Sequence, residues 1–240
     1  MKSYKILAII PARGGSKGIK RKNLQKLSGK PLISHTILAA KNTKSINKII
    51  VSTDDKEISR VSKNSGAEVP FLRPKKISND TSSTIEVIKH ALKFLEENQS
   101  YVPDIIILLQ PTSPLRTSQL ITKTINTLKK SKSTSVITVS KITKHPYASY
   151  WLKNDLLKPF KKNSTKYSRR QNFPDLFFPT GAVYTFWYDT LKKFNSIHGP
   201  KIKPIVTHED DIDIDNIQDL FFAEMILKNW KNYKKTNLKQ

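Results

Sequence analysis

The apolar run Ile6-Leu7-Ala8-Ile9-Ile10 opens directly into Pro11-Ala12-Arg13-Gly14-Gly15-Ser16-Lys17-Gly18. An unbroken apolar run of this length, ended by loop residues, reads as a buried strand. The loop then constrains what can follow. Gly14 and Gly15 are expected to free the backbone for φ > 0 and for close approach to a ligand. Consecutive N–H groups in such a loop can form an anion-binding concavity. Arg13, Lys17 and Lys22 add fixed positive charge. The carboxyl end of a first strand is where open α/β sheets bind ligands. The loop matches neither a Walker A sequence nor GxGxxG. An ordinary strand-to-helix connection on a lysine-rich surface would use the same residues. The coincidence of loop glycines with three cations favours phosphate.

Strand and helix patterns alternate after this loop, which points to an α/β fold with a mostly parallel sheet. Strands are expected over 5–10, 48–53, 67–71, 104–109 and 135–140, with the segment Asp-Ile-Ile-Ile-Leu-Leu at 104–109 central. Helices are expected over 31–41, opened by Pro31 at its first position, and over 57–64, 84–97 and 117–130. Asp54-Asp55 can cap the second of these. Ile85, Ile88, Ala91, Leu92 and Leu95 fall at helical spacing in the third. Alternation breaks at 144–162, where two short strands are expected around an Asn154-Asp155 turn. Strands at 181–186 and 203–207 and a helix over 216–233 complete the reading. Residues 1–233 are expected to form one domain, with 141–180 as an excursion and 234–240 as a flexible tail.

At 240 residues the chain is long enough for such a domain. It has no cysteine, which excludes disulfides, thiolate zinc sites and a cysteine nucleophile. It shows neither a signal-peptide pattern nor a run of about 18 apolar residues. A cytoplasmic location without membrane contact is therefore expected. The net charge of +24 is mostly lysine; arginine stands only at 13, 21, 60, 73, 116, 169 and 170. Scattered lysines describe a solvated surface, and no nucleic-acid motif accompanies them, so nucleic acid is not an expected partner. The field would still attract anionic small substrates.

Residues 208–215 read His-Glu-Asp-Asp-Ile-Asp-Ile-Asp, five acids in a strongly basic chain. In an extended segment Asp211, Asp213 and Asp215 share a face. Neighbouring carboxylates need a cation or strong hydrogen bonds, and magnesium suits hard oxygen ligands. A helix N-terminus capped by Asp215 would use the same acids. Gln110-Pro111-Thr112-Ser113-Pro114-Leu115-Arg116 follows the most apolar strand and offers an amide and a guanidinium to a polar substrate, or equally forms a capped turn. Arg169-Arg170 stands out in a lysine background, since arginine pairs bidentately with carboxylate or phosphate. Asp80-Thr81-Ser82-Ser83-Thr84 reads first as a helix cap. The five histidines lack metal-ligand spacing.

Together these blocks resemble the acylneuraminate cytidylyltransferase family, which makes CMP-sialic acid and related CMP-nonulosonic acids. The blocks are ARGGSKGIKRKN, GKPLISHTILAA, IIVSTDD, RP with SNDTSST, LLQPTSPLR, HP at 145–146, RRQNFP, GAVY and DIDIDNIQDL, in the family's order over about 5–227. The resemblance implies a Rossmann-like fold of the nucleotide-diphosphosugar-transferase type, with 141–180 as a dimerisation insertion. It implies a nucleotidyltransferase that joins CTP to an acidic nine-carbon sugar and releases pyrophosphate. Arg13, Ser16 and Lys17 would hold the triphosphate, within a loop that includes Ala12 and Gly14. Lys22 and Asn23 would help seat the nucleotide. Arg73, Thr81, Ser83 and Thr84 would lie at base and ribose. Asp213 and Asp215 would bind Mg²⁺, and with Arg13 and Lys17 form the catalytic set. Gln110, Arg116, Arg170 and Phe177 would stand on the sugar side. Thr180 and Asn172 depart from the family's usual residues in that sugar-side segment. Related 3-deoxy-octulosonate cytidylyltransferases share the reaction type and rank second, because their nucleotide-loop and sugar motifs differ.

Overall fold

A computed structural model describes residues 3–160, 170–207 and 212–229. In chain order the elements are β1 (Ile6–Pro11), β2 (Lys26–Leu27), β3 (Lys30–Pro31), α1 (Leu32–Lys41), β4 (Lys48–Ser52), α2 (Lys56–Asn64), α3 (Thr84–Gln99), β5 (Ile105–Leu108), α4 (Ser118–Lys130) and β6 (Ser135–Lys141). There follow β7 (Tyr150–Lys153), β8 (Leu156–Pro159), β9 (Phe177–Trp187), α5 (Tyr188–Phe194), β10 (Ile202–Val206) and α6 (Ile217–Lys228).

Six strands form one sheet in the order β10-β6-β9-β5-β1-β4. β1 runs parallel to β4 and β5, and β10 parallel to β6, while β9 lies antiparallel between β5 and β6. The alternate residues of β1 explain the layers. Ile6, Ala8 and Ile10 pack with Ile33, Ile37, Ile58, Ile121 and Ile125 on one face. Leu7 and Ile9 pack with Ile88, Leu92, Leu95 and Leu191 on the other. A strand covered on both faces needs apolar residues at every position, which is why β1 and β5 read as unbroken apolar runs. A smaller cluster of Ile19, Leu27, Leu32, Ile214 and Ala223 docks α6 beside the loop after β1.

Helix starts follow their local chemistry. The Asp55 carboxylate accepts from Glu57 N–H at 2.7 Å and Ile58 N–H at 2.9 Å, capping α2. Ser83 and Glu86 form a reciprocal capping box on α3. The expected turn at Asn154-Asp155 is present, with φ of 48° and 59° closing the β7–β8 hairpin. Both residues in the left-handed region mark a type I′ turn, which favours Asn and Asp.

Several expectations need correction. The predicted strand at 67–71 reduces to one bridge between Ile50 and Glu68; Pro70 has no N–H to extend the pairing. Pro31 precedes α1 as its cap, with φ −54° and ψ 141°, instead of occupying its first turn. α6 is capped by Asn216, whose side chain accepts from Gln218 and Asp219 N–H, and not by Asp215. β9 starts at Phe177, and α5 was not expected at all. The segments 161–169 and 208–211 and the tail 234–240 lie outside the described residues, so Arg169, Glu209 and Asp211 do too, as does the Arg170 side chain.

Candidate functional site

The loops at the carboxyl ends of β1 and β5 meet the residues that lead into α6. A cleft of about 350 Å³ lies between them, lined by Arg13, Ser16, Lys17, Lys22, Asn23 and Gln110 together with Asp213 and Asp215. A larger cavity of about 680 Å³ opens at the opposite edge of the sheet, near Asp104, Trp187 and Tyr188. It lies at the amino ends of the parallel strands, away from the edge where such sheets bind ligands.

Gly18 brings the two sides of the cleft together. A Cβ at this position would lie 2.1 Å from the backbone oxygen of Asp215, so only glycine permits the approach. The expectation of φ > 0 at Gly14 and Gly15 is not met, since neither is among the positive-φ glycines. The requirement at Gly14 is steric: a Cβ there would meet Asp55 Cβ at 2.9 Å. The loop is held by backbone and side-chain contacts. Ala12 is buried and its N–H donates to Ser52 O at 2.9 Å. Asn23 Nδ2 donates to Arg13 O at 2.9 Å. Gly14 N–H donates to Asp54 Oδ1 at 2.9 Å.

The acidic side is equally fixed. Ile214 is fully buried, and its N–H donates to Thr112 O at 2.8 Å. Its neighbours Asp213 and Asp215 therefore share the opposite, cleft-facing side of an extended segment, as the alternation predicts. Although Asp213 as a residue is exposed, its carboxyl lies against Thr112 and the Gly181 backbone. Desolvation there pushes its pKa up, the Thr112 hydrogen bond opposes this, and Asp215 adds to the rise. Lys22 Nζ donates to Ile214 O at 2.7 Å and to Asp215 Oδ1 at 3.1 Å.

Gly181 is a second position that only glycine fits. Its φ is +74°, and a Cβ would come within 2.9 Å of Gln110 Oε1. It lies where β9 bulges against β6. Thr180, beside it, turns its hydroxyl to Thr138 Oγ1 at 2.8 Å and is buried. Its hydroxyl therefore lies within the sheet, bonded across to β6.

Arg73 is 6% exposed, yet its Nε and NH2 have no hydrogen-bond partner. The nearest acid is Asp54, 3.9 Å from NH2. Burial lowers the Arg73 pKa, and Asp54 offsets part of that. Unmatched buried guanidinium donors are costly unless a ligand supplies acceptors. Thr81 lies in the loop that follows, where its N–H and Oγ1 donate to Asn79 Oδ1 at 3.1 and 2.9 Å. Ser83 accepts from Glu86 N–H as a cap and Thr84 opens α3, so these two serve the helix.

Two expected substrate residues are placed differently. Arg116 is 4% exposed. Its Nε donates to Ala182 O, NH2 to Gln110 O and NH1 to Thr36 Oγ1 at 3.0 Å. It ties the loop after β5 to β9 and α1, with its guanidinium turned inward. Phe177 is exposed at the start of β9, paired with Lys141 and away from the cleft lining.

The sequence pattern places Asp80 only in a helix cap. In the structure its carboxylate pairs with the Arg13 guanidinium through one oxygen and with Lys17 Nζ at 2.9 Å through the other. The Lys17 hydrogen bond is the largest influence holding its pKa below the usual carboxylate value. Asp54 was likewise grouped with Asp55 as a cap, but it faces Gly14 and Arg73. Both contacts join segments far apart in the chain, so local pattern gives no signal for either.

A parallel-dominated sheet with a cationic glycine loop after its first strand defines a nucleotidyltransferase-type fold. The solved CMP-2-keto-3-deoxy-manno-octonic acid synthetase complexed with CTP superimposes with a TM-score of 0.71, at 16% identity over 94% of this chain and 99% of that one. The cytidylyltransferase family model matches residues 7–221, and the chain belongs to that family. It is 34% identical to the CMP-N,N'-diacetyllegionaminic acid synthase of Legionella pneumophila, over 93% of this chain and 97% of that protein. It is 32% identical to the pseudaminic acid cytidylyltransferase of Campylobacter jejuni with the same coverage. It is 33% identical to the N-acylneuraminate cytidylyltransferase of Escherichia coli, over 98% of this chain but 55% of that longer protein.

Proposed function

We propose that this enzyme transfers CMP from CTP to the anomeric hydroxyl of a nonulosonic acid and releases pyrophosphate. The observation that carries this reading is the single cleft where Arg13, Lys17 and Lys22 face Asp213 and Asp215 in a cytidylyltransferase chain. The relatives named for legionaminic, pseudaminic and acylneuraminic acids support a nonulosonic acceptor.

The anomeric hydroxyl oxygen attacks the α-phosphorus, its proton leaves to water in the cleft, and the bond from the α-phosphorus to the oxygen it shares with the β-phosphate breaks. Transfer of this kind depends on positioning and on stabilising charge. Arg13 and Lys17 hold the β- and γ-phosphates and take up the charge that develops on the leaving pyrophosphate. Lys22 adds charge beside the α-phosphate while keeping Asp215 in place. Arg73 directs its unmatched donors to the carbonyl edge of cytosine. Gln110 and Arg170 bind the acidic sugar.

Asp213 and Asp215 fit magnesium. They present hard oxygen donors toward the phosphate loop, and among the described residues no cluster of three acid, histidine or cysteine side chains forms a protein-only cage. Magnesium commonly takes one or two carboxylates and completes its shell with water and substrate phosphates. When bound, the ion supplies charge neutralisation at the phosphate oxygens.

The β7–β8 hairpin exposes Tyr150, Trp151, Leu152, Leu156 and Leu157. That apolar surface supports a homodimer built through 141–180. The decisive experiment measures pyrophosphate release from CTP with N-acetylneuraminate, legionaminate, pseudaminate and 3-deoxy-octulosonate. Release with one of the first three and not the last supports the reading. Turnover with 3-deoxy-octulosonate alone would replace it.

A further inference from the structure

We infer that Asp80 sets how many phosphates the site retains, by competing with them for Arg13 and Lys17. The inference rests on the proposed triphosphate role of those two cations. One carboxylate reaches both: one oxygen pairs with the Arg13 guanidinium and the other lies 2.9 Å from Lys17 Nζ. Asp80 therefore meets both cations in the geometry that two oxygens of a phosphate chain would use. It lies in an exposed turn, where the chain is built from short side-chain contacts among Asn79, Thr81 and Ser82. The carboxylate itself is open to solvent, so the pairs are weak and easily exchanged.

This balance favours different outcomes before and after transfer. A triphosphate is also anchored through its α-phosphate and nucleoside, and with that added hold it displaces Asp80 from both cations. Once the α-phosphate has gone to the sugar, pyrophosphate alone must hold Arg13 and Lys17 against the returning carboxylate. Asp80 thereby speeds loss of pyrophosphate. No new bond is made; the exchange is one anion for another.

The test is direct binding of inorganic pyrophosphate, CMP and CTP to the full chain, wild type against Asp80→Asn and Asp80→Ser. Both substitutions sit at an exposed position. Pyrophosphate should bind several-fold more tightly to the variants, on the order of fivefold at low salt, with the gain shrinking as ionic strength rises. Product inhibition by pyrophosphate should strengthen to match, and CMP affinity should stay the same. Unchanged or weaker pyrophosphate binding in both variants would overturn the inference, since Asp80 would then only orient the cations. Arg13→Ala and Lys17→Ala separate this from failure of the site itself. If they leave wild-type pyrophosphate affinity intact, the triphosphate assignment is wrong; if they lower it and the Asp80 variants do not raise it, only the competition is wrong.

Discussion

Lys22 and Asp215 stand 193 positions apart and meet with 3.1 Å between Nζ and Oδ1. The same ammonium donates to Ile214 O at 2.7 Å, so one side chain joins the phosphate loop to the acidic segment. Replacing Lys22 with Met should lower kcat/KM about 100-fold or more, as expected when a charged donor at a reacting centre is lost. Steady-state kinetics on the folded variant will check this. A change confined to thermal stability would make Lys22 a structural clip.

Lys17→Ala and Arg13→Ala should each slow turnover by about 10²–10³-fold, the usual cost of losing one charge-stabilising group. Pre-steady-state measurement of pyrophosphate formation reads this at the chemical step. Near-normal rates in both would remove the loop after β1 from the active site.

Asp213→Asn and Asp215→Asn should abolish most magnesium-dependent activity, because an amide oxygen replaces a carboxylate poorly as a magnesium ligand. The two should part company in stability. The Asp213 pKa is raised in the folded state, mainly by desolvation. An acid with a raised folded pKa binds more protons folded than unfolded, so its contribution to stability falls as pH climbs through that interval. At neutral pH, Asp213→Asn should therefore leave Tm unchanged or raise it by on the order of 2 °C. At a pH below the ordinary carboxylate pKa the gain should vanish. A clear loss of Tm at pH 7 would show that the charged form is stabilised by its neighbours.

Arg116→Met should act on stability. It strands the Ala182 and Gln110 carbonyls and removes a buried donor to Thr36 Oγ1. Loss of such a buried charged donor is expected to cost about 3 kcal/mol. Urea denaturation will read the cost. Full stability combined with a raised KM for the sugar would restore Arg116 to the substrate side.

Trp151→Asp with Leu157→Asp places two charges on the exposed β7–β8 hairpin. If that surface joins two copies, sedimentation should shift from dimer to monomer at micromolar concentration. An unchanged dimer would move the contact elsewhere, for instance to the exposed Phe221 and Phe222 of α6.

Much of this molecule was legible in the chain because the signals are local. Residue pattern alone determined the doubly covered β1 and β5, the start of α3 at Ser83, the Asn154-Asp155 turn and the shared face of Asp213 and Asp215. Those features depend on side-chain periodicity and on hydrogen bonds spanning a few residues. The tertiary structure decided the rest. It inserted β9 antiparallel between β5 and β6, which left Gly181 against Gln110. It brought Gly18 under the backbone of Asp215, and Asp80 onto Arg13 and Lys17. It also turned Arg116 inward to serve carbonyls on two elements. Each of these joins segments far apart in sequence, and only the packed sheet fixes which polar groups meet and which must be paired within the protein.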